Sequence, residues 1–397
     1  MIKKENSRAL LWTVLLIAFI QMANLAILPG VDHIATQVFP ERPLKDIQMA
    51  MALPNIVVLI SGVLAAILER TGLISKKALV IVGLVFCALT GVSALIFHTH
   101  FWHLHLMNTI LGVGMGLYVQ NYQSIIYDSF DEKKRQFISG VQSSCSHGGG
   151  ILLSILAGYL VTIVWYGGHL VSLIIIPIAV VSFFAIPADK KARPSPENRT
   201  IRTKLPSGVY YHSVLVMVFM VIYNVAGMNI STHIANGSIG NAATSGIATA
   251  CLMAGGVVGG LVFPKVSPFL RDNIFSFSLT LIAIGFSLMN IFSTSLIVIL
   301  ASMAICGASF CLYIPRCIFN VSNITDPSNS ATATMLLVSV AAGIGSYLSP
   351  LIMTNLTLLL GGDSTQFRYQ FTAFVCLAMA VILFVRSRQE TKRTVSS

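Results

Sequence analysis

Two basic side chains stand out because both fall inside long apolar segments. Arg316 follows Pro315 in the apolar run 296–322, and His147 lies in the run 137–164. A guanidinium binds carboxylate or phosphate groups through paired hydrogen bonds, and an imidazole titrates near neutral pH. Arg316 therefore predicts a site for an anionic group, and His147 predicts a site of proton coupling.

Each of these residues also has a structural interpretation. Arg316 can extend to lipid headgroups or pair with Asp128 or Asp326, and His147 can be a neutral hydrogen-bonding residue between helices. The sequence leaves both alternatives open. No Asp or Glu falls in the middle of an apolar run, so proton coupling would use His147 or a carboxylate at the rim such as Asp32.

A second group of candidates consists of amides and phenols within the apolar runs. We expect them to form hydrogen bonds with a solute or, alternatively, with neighbouring helices at roughly 0.6 kcal/mol each. They are Tyr118, Gln120, Asn121, Tyr313, Gln21, Asn24, Tyr223, Asn224 and Asn229.

Other kinds of site are not indicated. The four histidines within 98–105 suggest a metal at first, but no acid or cysteine lies near them and their aromatic neighbours are typical of a membrane interface. The seven cysteines form no CxxC pair, and no glycine cluster precedes Lys-Ser or Lys-Thr. We therefore predict no metal, no cofactor and no catalytic residue.

The elements that position the candidates are membrane-spanning helices. Of the 397 residues, 55% are hydrophobic and 10% are charged, and the mean hydropathy is +0.81. A soluble chain carries about 25% charged residues, so an ordinary soluble enzyme is excluded. Runs long enough to cross a bilayer predict an all-α membrane protein with twelve spans. They lie near 9–28, 47–68, 78–97, 104–127, 137–164, 169–187, 210–230, 242–263, 274–292, 296–322, 331–360 and 369–386.

The basic residues are distributed unevenly between the connecting segments. With the N-terminus inside, 21 of the 25 Lys and Arg fall in inner segments, and only Arg42, Lys45 and Arg368 fall in outer loops. Positively charged loops stay in the cytoplasm, so both termini are predicted to be cytoplasmic. The net charge of +11 then faces anionic lipid, and nucleic acid is not a predicted partner. Arg316 remains as a single base, without a partner, inside a span.

The sequence also repeats. Asn24-Leu25-Ala26 recurs as Asn224-Val225-Ala226, and an offset of 195 residues aligns Gly112 with Gly307 and Asn121 with Arg316. We predict a six-helix bundle over 1–187, a cytoplasmic linker over 188–208 and a second six-helix bundle over 209–397. Two such halves usually enclose a solute path near the bilayer midplane.

The loop after the second run carries a family motif. It reads Ala65-Ala66-Ile67-Leu68-Glu69-Arg70-Thr71-Gly72 and resembles the major facilitator superfamily signature Gly-x-Leu-Ala-Asp-Arg-x-Gly. The resemblance implies a fold of twelve helices in two pseudo-symmetric bundles and secondary transport by alternating access. It also implies a conformational gate at Glu69, Arg70 and Gly72.

Two departures from the family bear on the solute. Asn108 stands where many proton-driven drug exporters have Arg, and their Gly-Pro-x-x-Gly-Gly motif is absent. The sequence favours transport of a small organic anion or weak acid, with an exporter of neutral or amphipathic drugs as the alternative. We expect a monomer in the plasma or inner membrane, with a small solute and the lipid bilayer as its partners.

Overall fold

The computed structural model describes residues 4–187, 205–326 and 329–396. Within these ranges the chain is helical and has no β-strand, which confirms the all-α fold class. The chain divides into two compact units, Met1–Arg202 and Thr203–Ser397. The linker predicted over 188–208 lies outside the described residues as far as position 204.

The first unit contains six helices, and several begin at a side chain that caps the free N–H groups of the first turn. Ser75 accepts a hydrogen bond from the N–H of Ala78, and Asp131 accepts one from the N–H of Lys134. The helices are α1 (Lys4–Phe19, continued by irregular turns over Ala23–Gly30, Val31–His33 and Ile34–Val38), α2 (Leu44–Arg70), α3 (Lys76–Ile96), α4 (Phe101–Ser129), α5 (Glu132–Val161) and α6 (Gly167–Leu170, Val171–Ile174 and Ile175–Ala185).

The second unit is built in the same way. Asn241 caps its second helix by accepting hydrogen bonds from the N–H groups of Ala243 and Thr244. The helices are α7 (Ser207–Asn236), α8 (Ala242–Leu270), α9 (Asn273–Ile291), α10 (Leu296–Ile324), α11 (Ser330–Thr334, Met335–Ala341 and Ala342–Leu359) and α12 (Thr365–Ser396).

Within the described residues, eleven of these helices are long and apolar enough to cross a bilayer. The twelfth, α4, has a similar length of 29 residues but carries Gln120, Asn121 and Gln123. The twelve-span prediction is confirmed at this level, but several helices extend beyond the predicted runs, and Lys45, expected in an outer loop, lies in the first turn of α2. Because α12 begins at Thr365, Arg368 lies inside this helix and not in an outer loop, and its side chain is only 3% exposed. Arg316 is therefore not the only Lys or Arg within a span.

The internal repeat of the sequence is present in the packing of both units. In the first unit α4 packs against α2 and α3, α5 against α1, and α3 against α6. In the second unit α10 packs against α8 and α9, α11 against α7, and α9 against α12. The most extensive helix pairs of one unit thus recur between the helices six places along the chain.

Aligned glycines allow the closest of these contacts. A Cβ atom on Gly112 of α4 would lie 2.6 Å from Val57 Cβ and 3.0 Å from the Pro54 carbonyl oxygen of α2. A Cβ atom on Gly307 of α10 would overlap the Leu252 carbonyl of α8. Small residues let the backbones of spanning helices approach, and here they hold equivalent crossings in the two units.

The α8–α10 crossing gives a direct test. We expect Gly307→Ala to destabilise the protein by about 1–3 kcal/mol, because the new methyl group has no room beside the α8 backbone. Gly260→Ala on α8 is the matched control, since nothing lies within 4 Å of a Cβ atom there. Melting temperatures of the two variants in the same detergent measure the difference, and equal values would contradict a tight crossing.

Candidate functional site

A polar cavity of about 300 Å³ lies within the first unit. This volume is at the small end of the roughly 300–1,000 Å³ range of ligand pockets. Side chains of α5 and of α4 and the end of α1 line it, and all but one of them are polar. They are Gln21, Met22, Gln123, Gln142, Ser143, Ser146 and His147.

The register of α5 explains how one helix supplies four of these residues. Gln142, Ser143, Ser146 and His147 stand at positions i, i+1, i+4 and i+5, which lie on one face of an α-helix. Gln21 lies opposite, where α1 changes from regular helix to irregular turns. The cavity therefore forms where a polar helix face meets a break in its neighbour.

The hydroxyl of Tyr122 joins the lining side chains from three helices. It donates a hydrogen bond to Gln21 Oε1 at 3.0 Å and accepts hydrogen bonds from Gln123 Nε2, at 3.2 Å, and from Gln142 Nε2. Ser146 Oγ donates to the same Gln21 oxygen at 3.0 Å. Tyr122 itself is buried, so these bonds are made away from water and hold the amides in place.

The lining residues carry one titratable group and no permanent charge. His147 Nδ1 lies 2.9 Å from the Ser143 carbonyl oxygen and donates to it, which fixes the tautomer of the neutral ring. Amides, hydroxyls and an imidazole recognise a ligand through directed hydrogen bonds. The arrangement is suited to a small polar molecule.

Of the solute and proton candidates predicted from the sequence, Gln21 and His147 line this cavity. Tyr118, Asn121 and Tyr313 are buried elsewhere, and Asn121 Nδ2 donates to the Leu117 carbonyl of its own helix. The remaining candidates also lie outside the lining. They are Gln120, which is exposed, the half-buried Asn24 and Asp32, Tyr223, which packs on the Phe310 ring, and Asn224, which donates to Ser346 Oγ. Their roles in solute or proton binding stay predictions.

Arg316 has a partner that the sequence analysis did not foresee. Its Nη2 lies 3.0 Å from Asp272 Oδ1, and its Nη1 lies 3.4 Å from Ser267 Oγ. Asn320 Nδ2 donates to the same carboxylate oxygen at 3.0 Å. The expectation of an unpaired base is wrong, and neither Asp128 nor Asp326 is the partner, because the α8–α9 connection places Asp272 beside α10.

Asp272 is held in its charged form. Burial by itself raises the pKa of this carboxyl group, but the hydrogen bonds from Asn320 and Arg316 and the positive charge of Arg316 outweigh burial. The net effect keeps the pKa of Asp272 below its ordinary value of 3.8. The ion pair is therefore intact at neutral pH.

A second arginine, Arg368, connects two helices at the start of α12. Arg368 Nη1 donates to Asn229 Oδ1 of α7 at 3.1 Å, and its Nη2 donates to Asp363 Oδ1 at 2.9 Å. Asn229 in turn donates from Nδ2 to the Val225 carbonyl at 2.9 Å. These bonds give Asn229, a solute candidate in the sequence, a structural role between helices.

The predicted gate forms a small charge cluster. Lys76 Nζ at the start of α3 lies 3.5 Å from Glu69 Oε1 at the end of α2 and also pairs with Asp128 at the end of α4. Gly72 has φ = +69°, a conformation that side chains disfavour, which accounts for glycine in the motif. The side chain of Arg70 lies outside the described part of the chain.

Asn108, at the position of the exporter arginine, is also part of the helix packing. Its Nδ2 donates to the Ala50 carbonyl of α2 at 2.9 Å, and its Oδ1 lies 3.2 Å from His169 Nε2 of α6. Both side chains are buried. Asn108 thus joins three helices and carries no charge.

Sequence reasoning missed Gln123, Gln142 and Tyr122 as individual site residues. The signal for Gln142 was available, because it continues the polar face of α5 one turn before Ser146. The position of Tyr122 at the centre of three amides carried no such signal, since its partners come from α1, α4 and α5.

Comparisons with known proteins give a consistent family and fold. The family model described as Major Facilitator Superfamily matches residues 10–267. The POT family transporter PepTSo has a TM-score of 0.76 at 10% identity, over 97% of this chain and 98% of that one. A mutant of the nucleoside transporter NupG has a TM-score of 0.73 at 14% identity, over 94% and 98%. A bacterial homologue of the human lysosomal transporter Spinster reaches 0.68 at 15% identity, over 97% and 96%. No curated protein matches.

The Arg316–Asp272 pair gives a test by double-mutant cycle. We expect Arg316→Gln and Asp272→Asn each to lower the melting temperature. The double variant should lose less stability than the two single variants lose together. The difference is a coupling free energy of about 1 kcal/mol for this partly exposed pair. Thermal unfolding of the four proteins at pH 7 measures it, and strictly additive effects would show that the two side chains do not interact.

The same pair predicts a pH dependence. Folding lowers the pKa of Asp272, so the charged carboxylate stabilises the folded protein. This contribution to stability is fully present above the unfolded pKa of about 3.9, and it is lost as the pH falls through the lower pKa of the folded state. The difference in melting temperature between the native protein and Asp272→Asn should be constant above about pH 5 and shrink below about pH 4. A difference that grows on acidification would have the wrong sign.

Proposed function

The chain belongs to the Major Facilitator Superfamily, and from that membership we propose that it carries a small, uncharged polar solute across the membrane by alternating access. It is a secondary transporter and not an enzyme. The observation that supports the choice of solute is the lining of the cavity, in which amides, hydroxyls and one imidazole surround about 300 Å³.

Charge argues against an organic anion in this cavity. A buried carboxylate without a cationic partner is costly, and none of the lining residues is Lys or Arg. The anion hypothesis rests on Arg316 and His147 together, and of these Arg316 already pairs with Asp272. A neutral solute avoids that cost and satisfies the amides by hydrogen bonding.

The residue types of the lining argue against the drug-exporter alternative. Drug-sized ligands are usually bound by walls of mostly apolar and aromatic side chains. Met22 is the only apolar side chain among the seven that line the cavity, and no aromatic ring does so. A compact solute with several hydrogen-bonding groups fits these walls better.

His147 is the group through which we propose proton coupling. It is the one titratable side chain of the lining, and Ser143 already orients its ring. Gain of a proton would place a positive charge beside the solute and change its affinity. The distribution of the basic residues supports the proposed orientation, with both termini in the cytoplasm. The proposal also includes the plasma or inner membrane as the location and a single chain as the working unit.

Reconstituted vesicles test the choice of solute. We expect uptake of neutral probes such as a small amide, a polyol or a nucleoside to exceed uptake of organic acids of similar size, because the lining offers hydrogen bonds without a cation. Uptake of the acids alone would overturn the choice of a neutral solute and support transport of an organic anion instead.

Two serines on α5 provide matched variants for the same assay. Ser146→Ala removes a buried hydroxyl that lines the cavity and orients Gln21, so we expect the KM of the best neutral probe to rise about tenfold. Ser144→Ala changes an exposed hydroxyl outside the lining and should leave uptake unchanged. An equal effect of the two substitutions would show that the cavity is not the solute site.

A further inference from the structure

The Tyr122 hydroxyl uses its full hydrogen-bonding capacity on the cavity glutamines. A phenol has one hydrogen to donate and two lone pairs that accept. Tyr122 donates to Gln21 Oε1 and accepts from Gln123 Nε2 and Gln142 Nε2. No further group can bind this oxygen, so each glutamine has a set orientation.

These orientations determine what the cavity offers to a ligand. Gln21 Oε1 is occupied twice, by Tyr122 and by Ser146, which leaves its Nε2 as the end available to a ligand. Gln123 and Gln142 each use Nε2 on Tyr122, which leaves Oε1. Among the described residues, none of these three remaining atoms has a protein partner, and all three belong to side chains that line the cavity.

We infer that Tyr122 is a positioning residue for solute selection, and that the cavity takes a solute with a carboxamide-type group. Two carbonyl oxygens accept the two N–H bonds of such a group, and the Gln21 amide N–H binds its oxygen. This inference rests on the proposed function and adds the chemical class of the solute to it.

The same pattern disfavours a carboxylate of identical shape. A carboxylate has acceptors only, so both of its oxygens would face the Oε1 atoms of Gln123 and Gln142. Sites built to hydrogen-bond one group reject an analogue that leaves buried polar groups unpaired, and the discrimination commonly exceeds tenfold. Amide and acid of one parent compound are therefore the sharpest pair of probes.

Removal of the phenol hydroxyl should abolish this discrimination without removing any lining side chain. In Tyr122→Phe the amides of Gln123 and Gln142 lose their common partner and can rotate to present either end. Gln21 keeps its bond from Ser146. Affinity for the amide then falls and affinity for the acid rises, a change in ratio that simple loss of stability does not produce.

The experiment compares nicotinamide with nicotinate, and propionamide with propionate as a smaller pair. Binding to the purified full-length protein and uptake into vesicles are measured for the native protein, Tyr122→Phe and Tyr369→Phe. Tyr369 is the matched control because its phenol is also buried, its hydroxyl has no hydrogen-bond partner among the described residues, and it does not line the cavity. Melting temperatures confirm that all three proteins are folded.

We expect the native protein and Tyr369→Phe to prefer the amide of at least one pair by about tenfold or more. Tyr122→Phe should reduce that preference to about threefold or less. The inference is overturned if the folded native protein shows no preference for either amide, or if Tyr122→Phe retains it. If the inference fails but other neutral probes are taken up, the proposed function is still supported. Uptake of acids alone would overturn both the inference and the proposed choice of solute.

Discussion

Inside a hydrocarbon layer every polar group must find its partner within the protein, and the structure follows from this constraint. Arg316, Arg368 and Lys76 meet it through ion pairs with Asp272, Asp363 and Asp128, respectively. Once these charges are paired, the glutamine ends in the first unit remain as polar atoms without a protein partner. Other buried side-chain atoms of the described residues also lack a partner, among them Ser154 Oγ and the Tyr369 hydroxyl, but they do not belong to the lining of this cavity.

Each unit pairs a base with an acid across neighbouring helices, but not at equivalent positions. In the first unit a base at the start of α3, Lys76, pairs with an acid at the end of α4, Asp128. In the second unit an acid just before α9, Asp272, pairs with a base within α10, Arg316. The internal repeat aligns Arg316 with Asn121 and not with Asp128, so each unit pairs its charges in its own way.

Hydropathy and glycine spacing predicted the helices and the repeat because both are local properties of the chain. The partners of Arg316 could not be predicted in this way, since Asp272 lies 44 residues away and meets it only through helix packing. Arg368 was misplaced because a charged residue at the edge of an apolar run looks like a loop. Gln21 and His147 were found by polarity alone, whereas the role of Tyr122 depends on three helices that converge.

The polar character of α4 has a consequence for how the protein enters the membrane. Among the described helices of the first unit, α4 is the one that does not reach the hydropathy typical of a spanning segment. Such a helix partitions poorly into lipid by itself, so its insertion depends on earlier helices that leave the translocon before it. The helices it packs against, α2 and α3, are synthesised just before it. The helix of the first unit that inserts least readily by its own hydropathy is thus the one that places Gln123 in the cavity lining and the Tyr122 hydroxyl beside it.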